Sequence, residues 1–271
     1  MLAIKNNIMA SSAARYLGQS YDALAVSIQR LSSGLRINSA KDDAAGLAVR
    51  ELMRADIAVI RQGSRNAQDS VSMLQTFEGA LAVVDEVLIR MMELAEQAAT
   101  GSYSSSQRNI MNSEFQEMAQ EIDRIATTTE FNAVLMLNNS AINTIHFAQG
   151  STINVTGIDI RTTALGLSGL SIAGANGTNA AAALASISNA IELKDSARAT
   201  FGYKMNRIES ISSVLDIQAE NLMAAESRIS DVDVAVEMAA LTRNQVLAQA
   251  GVAMLAQANS MPQMALSLLR M

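Results

Sequence analysis

Leu17-Gly-Gln-Ser-Tyr-Asp-Ala-Leu-Ala-Val-Ser-Ile-Gln-Arg-Leu-Ser-Ser-Gly-Leu35 carries apolar residues at Leu17, Tyr21, Leu24, Ile28, Leu31 and Leu35, in steps of four and three. That spacing winds one narrow stripe up a single helix face, the seam of a helix that packs on another helix. A comparable seam runs through the other end of the chain at Met238, Leu241, Ala248, Val252, Leu255, Leu266 and Leu269, interrupted by Gln245, Asn259 and Pro262. Neither stripe is wide enough to make a domain alone. Because most of the chain separates them, they pair only if the chain runs out and folds back. The spacing therefore predicts a mainly α fold, an elongated helical hairpin or coiled-coil rod with the N- and C-terminal helices paired at one tip.

The stretch between the two ends is consistent with such a hairpin. A first helix running from about Ile4 to Ser33 stops at Gly34, a residue suited to a left-handed helix end. Leu35 to Ser39 is then a connector, and Asp42 and Asp43 fall in the first turn of a new helix, where the dipole favours negative charge. Leu74, Phe77, Leu81, Val84, Leu88, Met91, Ala95 and Ala98 keep the helical step to about residue 100. A polar turn at Gly101 to Ser106 precedes a helix over about 107–128, with Phe115, Met118, Ile122 and Ile125 on one face.

From Phe131 to about residue 165 the period shifts toward alternation, as in Ile145-His-Phe-Ala-Gln149 and Ile153-Asn-Val-Thr-Gly-Ile-Asp-Ile160, which predicts a small β-hairpin layer. Leu167 to Asn179 is rich in Gly, Ser and Asn and reads as a flexible loop. A returning helix over about 180–227 buries Phe201, Met205, Ile208, Ile211, Leu215 and Leu222. The domain organisation expected is a terminal-helix domain built from residues 1–41 and 228–271, and a middle domain over 42–227.

Composition narrows the function classes. Of 271 residues, 49% are hydrophobic but only 3% aromatic, with no Trp. Large interiors of globular enzymes use bigger side chains. The single proline, Pro262, permits long uninterrupted helices. A net charge of -6, with acids and bases interspersed, supplies no basic patch for nucleic acid. The absence of cysteine removes disulfides and thiolate metal sites. No stretch approaches the roughly 20 apolar residues of a membrane span, and Met1-Leu-Ala-Ile-Lys-Asn-Asn7 lacks the apolar core of a secretory signal.

The residues flanking the two stripes carry a family resemblance. Leu31-Ser-Ser-Gly-Leu-Arg-Ile-Asn-Ser-Ala-Lys-Asp-Asp-Ala-Ala-Gly-Leu-Ala48 follows the first, and Ser227-Arg-Ile-Ser-Asp-Val-Asp-Val-Ala-Val-Glu237 precedes the second. The tail reads Gln245-Val-Leu-Ala-Gln-Ala250, Gln257-Ala-Asn259, Pro262-Gln263 and Leu266-Ser-Leu-Leu269. These motifs resemble the two terminal regions of bacterial flagellins. The resemblance implies a short member without outer variable domains, a structural protein that polymerises with itself into the flagellar filament for swimming. It also implies export through the flagellar type III system to an extracellular place in the flagellum. An export chaperone, the export apparatus, and the filament cap and junction proteins are its implied partners. A hook-filament junction protein, which has similar chain ends, and a helical signalling module of the chemoreceptor type are the alternatives.

Three sets of residues are candidate sites. Leu17, Tyr21, Leu24, Ile28, Leu31, Leu35, Met238, Leu241, Val252, Leu255, Leu266 and Leu269 are expected to form the polymerising inner helices, with Asn38, Ser39, Asp42 and Asp43 in the connector. The resemblance also matches Arg90, Leu94 and Glu114 to a surface by which some flagellins engage an innate immune receptor, while Ile89, Met92 and Glu96 depart from it. His146, the only histidine, reads as an ordinary strand residue. No nucleophile, base and orienting group converge, and no cofactor is implied. Asn138-Asn-Ser140, Asn154-Val-Thr156 and Asn176-Gly-Thr178 fit the spacing of N-linked acceptors, which in a bacterial chain is coincidence.

Overall fold

The computed structural model describes residues 6–148 and 150–269, with side chains through Met264. The described elements are α1 (Ile8–Ser33), α2 (Ala44–Ala99), α3 (Ser105–Thr128), β1 (Ile142–Ala148), β2 (Ser151–Thr156), α4 (Thr178–Ser230) and α5 (Val234–Leu269). The fold is mainly α, with one two-stranded antiparallel sheet and with α1 packed on α5. The chain divides into two compact units, Met1–Ile57 with Glu220–Met271, and Ala58–Ala219.

Local chemistry sets the helix ends. Ile4 lies outside the described residues, and α1 begins at Ile8 because the Asn7 side chain accepts from the Ala10 N–H at 3.0 Å. Gly34 closes it in the left-handed conformation, donating its N–H to the Arg30 carbonyl at 2.9 Å. Asp42 and Asp43, expected inside the next helix, stand before it. The Asp43 carboxylate accepts the Gly46 N–H at 2.8 Å, so it caps α2 from outside instead of sitting in its first turn. Helix α3 starts at Ser105, two residues before the expected position. Ser104 and Gln107 form a reciprocal capping box there, each side chain bonding the other's backbone N–H at 3.3 and 2.9 Å.

In the unit Ala58–Ala219 the core repeats at steps of three and four. Leu74, Phe77, Leu81, Val84, Leu88 and Met91 of α2 are buried, as are Ile187, Ala190, Ala197, Phe201 and Ile208 of α4 and Phe115 and Ile122 of α3. Cross-links between α2 and α4 show that they run antiparallel: Arg198 pairs with Glu78 at 2.6 Å, and the Ser64 hydroxyl donates to Asp216 at 2.8 Å. Lys194 occupies the core step between Ala190 and Ala197 and is only 1% exposed. Its ammonium is held by Asp85 of α2 and by Asp195 at 2.7 Å.

The hairpin pairs Ile145 with Ile153, and its buried positions are Ile145, Phe147, Ile153 and Val155, the alternation read from the sequence. Its backbone lies directly on α2. A Cβ on Gly63 would come within 1.4 Å of the Phe147 carbonyl oxygen, so the helix can carry only glycine there. Asn66 donates to the His146 carbonyl at 2.8 Å and Lys204 to that of Asn154 at 3.0 Å. His146 itself is exposed.

Before the hairpin, Phe131-Asn-Ala-Val134 forms a tight turn in which Phe131 and Val134 exchange backbone hydrogen bonds at 3.0 and 2.9 Å. Asn132 and Ala133 both have positive φ, 49° and 61°. Asparagine tolerates that region better than alanine, whose Cβ meets the following carbonyl. Ala133→Gly is therefore expected to raise the unfolding free energy by about 0.5–1 kcal/mol, read by chemical denaturation. An unchanged or lower midpoint contradicts it.

The segment between β2 and α4 corrects the expectation of a flexible loop. It has no regular structure, yet Leu167 and Ile172 are buried, and polar side chains of α3 pin it. Asp123 accepts the Thr162 N–H at 2.7 Å and its hydroxyl at 2.8 Å. Gln116 donates to the Leu170 carbonyl at 2.7 Å, and Asn112 accepts the Ile172 N–H at 2.9 Å. With its polar groups satisfied, an irregular backbone can be buried.

Candidate polymerisation surface

In the unit built from both chain ends, α1 and α5 lie antiparallel. Asn7 donates to the carbonyl of Ala258 at 2.8 Å near one end of the pair, and Arg30 faces Glu237 at 3.6 Å near the other. Midway, Gly251 meets Leu17, where an added Cβ would lie 3.1 Å from the leucine methyl. The more shielded positions of α1 include Ala10, Ala13, Leu17, Ser20, Leu24, Ser27 and Leu31; those of α5 include Glu237, Leu241, Asn244, Ala248, Gly251, Leu255 and Ala258. Both sets step by three and four, so each is a continuous seam.

The Asn7 contact has a covalent cause. Pro262 lies inside α5 and has no N–H, so the Ala258 carbonyl four residues earlier loses its helical donor. The Asn7 side chain supplies the missing donor while its oxygen caps α1.

This seam divides the stripes read from the sequence. Leu17, Leu24 and Leu31 enter it opposite Leu241 and Leu255. Tyr21 and Ile28 do not, being 50% and 53% exposed, and Met238 and Val252 are likewise exposed. Leu35 belongs to the connector, half-buried and bridged to Asp231. The side chains of Leu266 and Leu269 lie outside the described residues. The seam residues missed from the sequence include Ser20, Ser27, Glu237, Asn244, Gly251 and Ala258, polar or small side chains that no hydrophobicity stripe reveals. The seven-residue step linking Leu17, Leu24 and Leu31 was the available signal.

The pair does not close a core by itself. Among the described residues of α1 only Ser27 is fully buried, and the leucines stay partly open, in contrast to the sealed α2 and α4. Outside the seam, Ile8, Met9, Tyr16 and Val26 of α1, and Val234, Val236, Val246, Leu247, Met254 and Met264 of α5, are exposed. Small side chains at Ser20, Ala23 and Gly251, rimmed by Tyr16 and Leu247, open a groove of about 360 Å³ beside the seam.

The connector is held by its polar residues. Asp42 accepts the N–H groups of Asn38 and Ser39 at 3.1 and 2.9 Å and the Ser39 hydroxyl at 3.0 Å, and Asn38 donates to the Ser33 hydroxyl at 3.0 Å. The Ser39 hydroxyl, then the Ser39 and Asn38 amides, keep the Asp42 carboxyl below its ordinary range. A depressed carboxyl stabilises the fold above its ordinary value and loses that contribution as pH falls through the depressed one. Arg36 completes the closure, donating to the Ile229 carbonyl at 2.8 Å.

The second expected surface lies on α2 and α3. Arg90 donates to Glu114 at 2.9 and 2.8 Å and to Glu93 at 3.0 Å, and Glu114 first, then Glu93, holds its guanidinium above the ordinary value. Leu94 is 1% exposed and packs in the α2 core beneath the Arg90 and Glu114 pair. Its helical step places it beside Met91 and Ala95 on the buried side, about 100° round the helix from Glu93. Among the described residues there is no cluster of potential metal ligands, and no helix is long and apolar enough to cross a membrane.

A family model described as the bacterial flagellin N-terminal helical region matches residues 4–142, and one described as the bacterial flagellin C-terminal helical region matches residues 184–269. A flagellin of Halalkalibacterium halodurans is 41% identical over 273 residues, spanning 98% of this chain and 99% of that protein. The flagellar filament 33 kDa core protein of Treponema phagedenis is 39% identical over 287 residues, with the same two coverages of 98% and 99%. Among solved structures, a Bacillus cereus flagellin aligns with a TM-score of 0.50 at 31% identity, covering 60% of this chain and 94% of that one.

Proposed function

This chain belongs to the bacterial flagellin family and is a structural subunit of the flagellar filament, and from that premise we propose that the outward halves of the α1 and α5 stripes are the surface on which successive copies pack. The division of each stripe carries this reading: the inner half joins the two helices, while Tyr21, Ile28, Met238 and Val252 remain exposed. Ordering a residue costs about 1–2 kcal/mol of backbone entropy. A pair with so few sealed side chains opens readily when alone, and neighbouring copies close it. Repeated contacts whose rotation does not return to the start generate an open helical polymer.

The same reading makes the protein an exported one. It crosses the flagellar type III channel, is shielded beforehand by a chaperone that covers α5, and is added outside the cell beneath a cap and beyond the junction proteins. The family is structural, and no catalytic step belongs to this reading. A junction collar would share the pairing of chain ends, but the flagellin matches extend over nearly the whole length, which supports the filament subunit.

Amide exchange of the free subunit and of the seeded polymer tests the proposal. Protection is expected to rise on assembly chiefly in α1 and α5, with micrometre filaments visible by electron microscopy. Equal protection of both helices in the two forms, or short rings in place of filaments, overturns it.

A further inference from the structure

The chain contains one Asn-Gly dipeptide, Asn176-Gly177, immediately before α4. Asn176 is exposed. Among the described residues nothing hydrogen-bonds its side-chain amide or the Gly177 N–H. Two asparagines that precede serine are tied down instead: Asn139 accepts the Ala141 N–H at 2.9 Å, and Asn112 holds Ser171 and Ile172, each at 2.9 Å. Glycine offers no side chain to hinder attack by its own nitrogen.

We propose that Asn176 is a site of spontaneous deamidation. Hydroxide removes the Gly177 amide proton, and the nitrogen attacks the Asn176 side-chain carbonyl carbon. A new C–N bond forms, the bond to the side-chain nitrogen breaks, and ammonia leaves with a proton from water. The resulting cyclic imide is opened by water at either carbonyl, giving aspartate or isoaspartate. The net exchange is amide plus water for carboxylate plus ammonium, with no oxidant or enzyme.

The surroundings favour the negative charge that develops. The buried Arg108 guanidinium donates to the carbonyl of the adjacent Ala175 at 3.0 Å, and to those of Ala98 and Thr100 at 2.8 and 2.9 Å. Among the described residues no carboxylate pairs with it. The free amides of the α4 N-terminus add a partial positive charge on the other side.

The two products differ in consequence. Aspartate keeps the backbone path and places a carboxylate where the α4 dipole favours it. Isoaspartate inserts an extra backbone carbon between Ala175, held by Arg108, and Gly177, which lies so close to α2 that a Cβ would come within 2.3 Å of the Ala99 carbonyl oxygen. Both contacts cannot survive that lengthening, so conversion loosens the end of α2 and its extent records the age of the chain. This inference does not depend on the filament surface proposed above.

The test incubates the purified full chain in mildly alkaline buffer, folded and in denaturant, beside an Asn176→Gln variant. Peptide mass mapping follows the exchange of amide for hydroxyl, and enzymatic methylation of isoaspartate identifies that product. The folded chain is expected to convert at Asn176 within about tenfold of the unfolded rate, because its side chain is exposed and the Gly177 N–H is unbonded among the described residues, and the variant to lack that conversion. A folded rate slower than this, or conversion led by another asparagine, overturns the assignment.

Discussion

Asp85→Ala is expected to lower the unfolding free energy by about 2–4 kcal/mol, because it leaves the Lys194 ammonium in the interior with only Asp195 to meet it. Lys194 stands at a core step of α4, where the repeat otherwise supplies Ala190, Ala197 and Phe201. Asp85 is partly open to solvent, and Asp195 more so, which places the loss below that of a fully isolated charge. Lys194→Met removes the need for both carboxylates, fills similar space, and is expected to change stability by less than about 1.5 kcal/mol in either direction. The double variant should then recover most of what Asp85→Ala alone loses, a coupling that denaturant titration of the four proteins measures. Strictly additive losses would show that the pair does not act as a unit. A buried charge at one step of a hydrophobic repeat also fixes which turn of α2 faces which turn of α4, since sliding by one repeat would bury it without Asp85.

Ile28→Ser is expected to leave the free subunit within about 0.5 kcal/mol of its parent, since the side chain is exposed and lies outside the seam. Its effect on assembly should be far larger. Burying such a side chain contributes about 1.5–3 kcal/mol, so its loss from each added copy should raise the critical concentration by roughly tenfold to a hundredfold. Leu24→Ser provides the contrast, because Leu24 joins α1 to α5 within one chain, and it should weaken the free subunit as well as the polymer. Critical concentrations from sedimentation, beside melting curves of the monomers, separate the two cases. Unimpaired growth of Ile28→Ser would remove the outer face from the polymer contact.

The helices were legible because long apolar periodicity survives tertiary packing. Leu74 to Ala98 and Phe201 to Leu215 show the same step in the sequence and in the core. Alternation likewise revealed the strands around Ile145 and Ile153. The polar interior left no such signal. Nothing local in the sequence around Lys194 and Arg108 shows that Asp85 or three carbonyls await them. Asn112, Gln116 and Asp123 look like surface residues of α3, yet they turn a Gly-rich segment from a loop into a pinned one. At the terminal pair the stripe was visible but its halves were not distinguished. Which side of a narrow stripe meets a partner depends on the crossing of two helices distant in sequence, and the small Ser27 and Gly251 lie within the seam. The burial of Leu94 was likewise not read from its place beside Arg90 and Glu93.

The hydrogen bond from Asn7 to the Ala258 carbonyl makes positions 7 and 262 mutually dependent, although nearly the entire polypeptide lies between them. A residue able to restore the N–H in place of Pro262 would release Asn7 from one of its two duties, while loss of Asn7 removes the α1 cap in either case and strands the Ala258 carbonyl only as long as the proline stays. The tolerance of one terminus to substitution is thus written in the other.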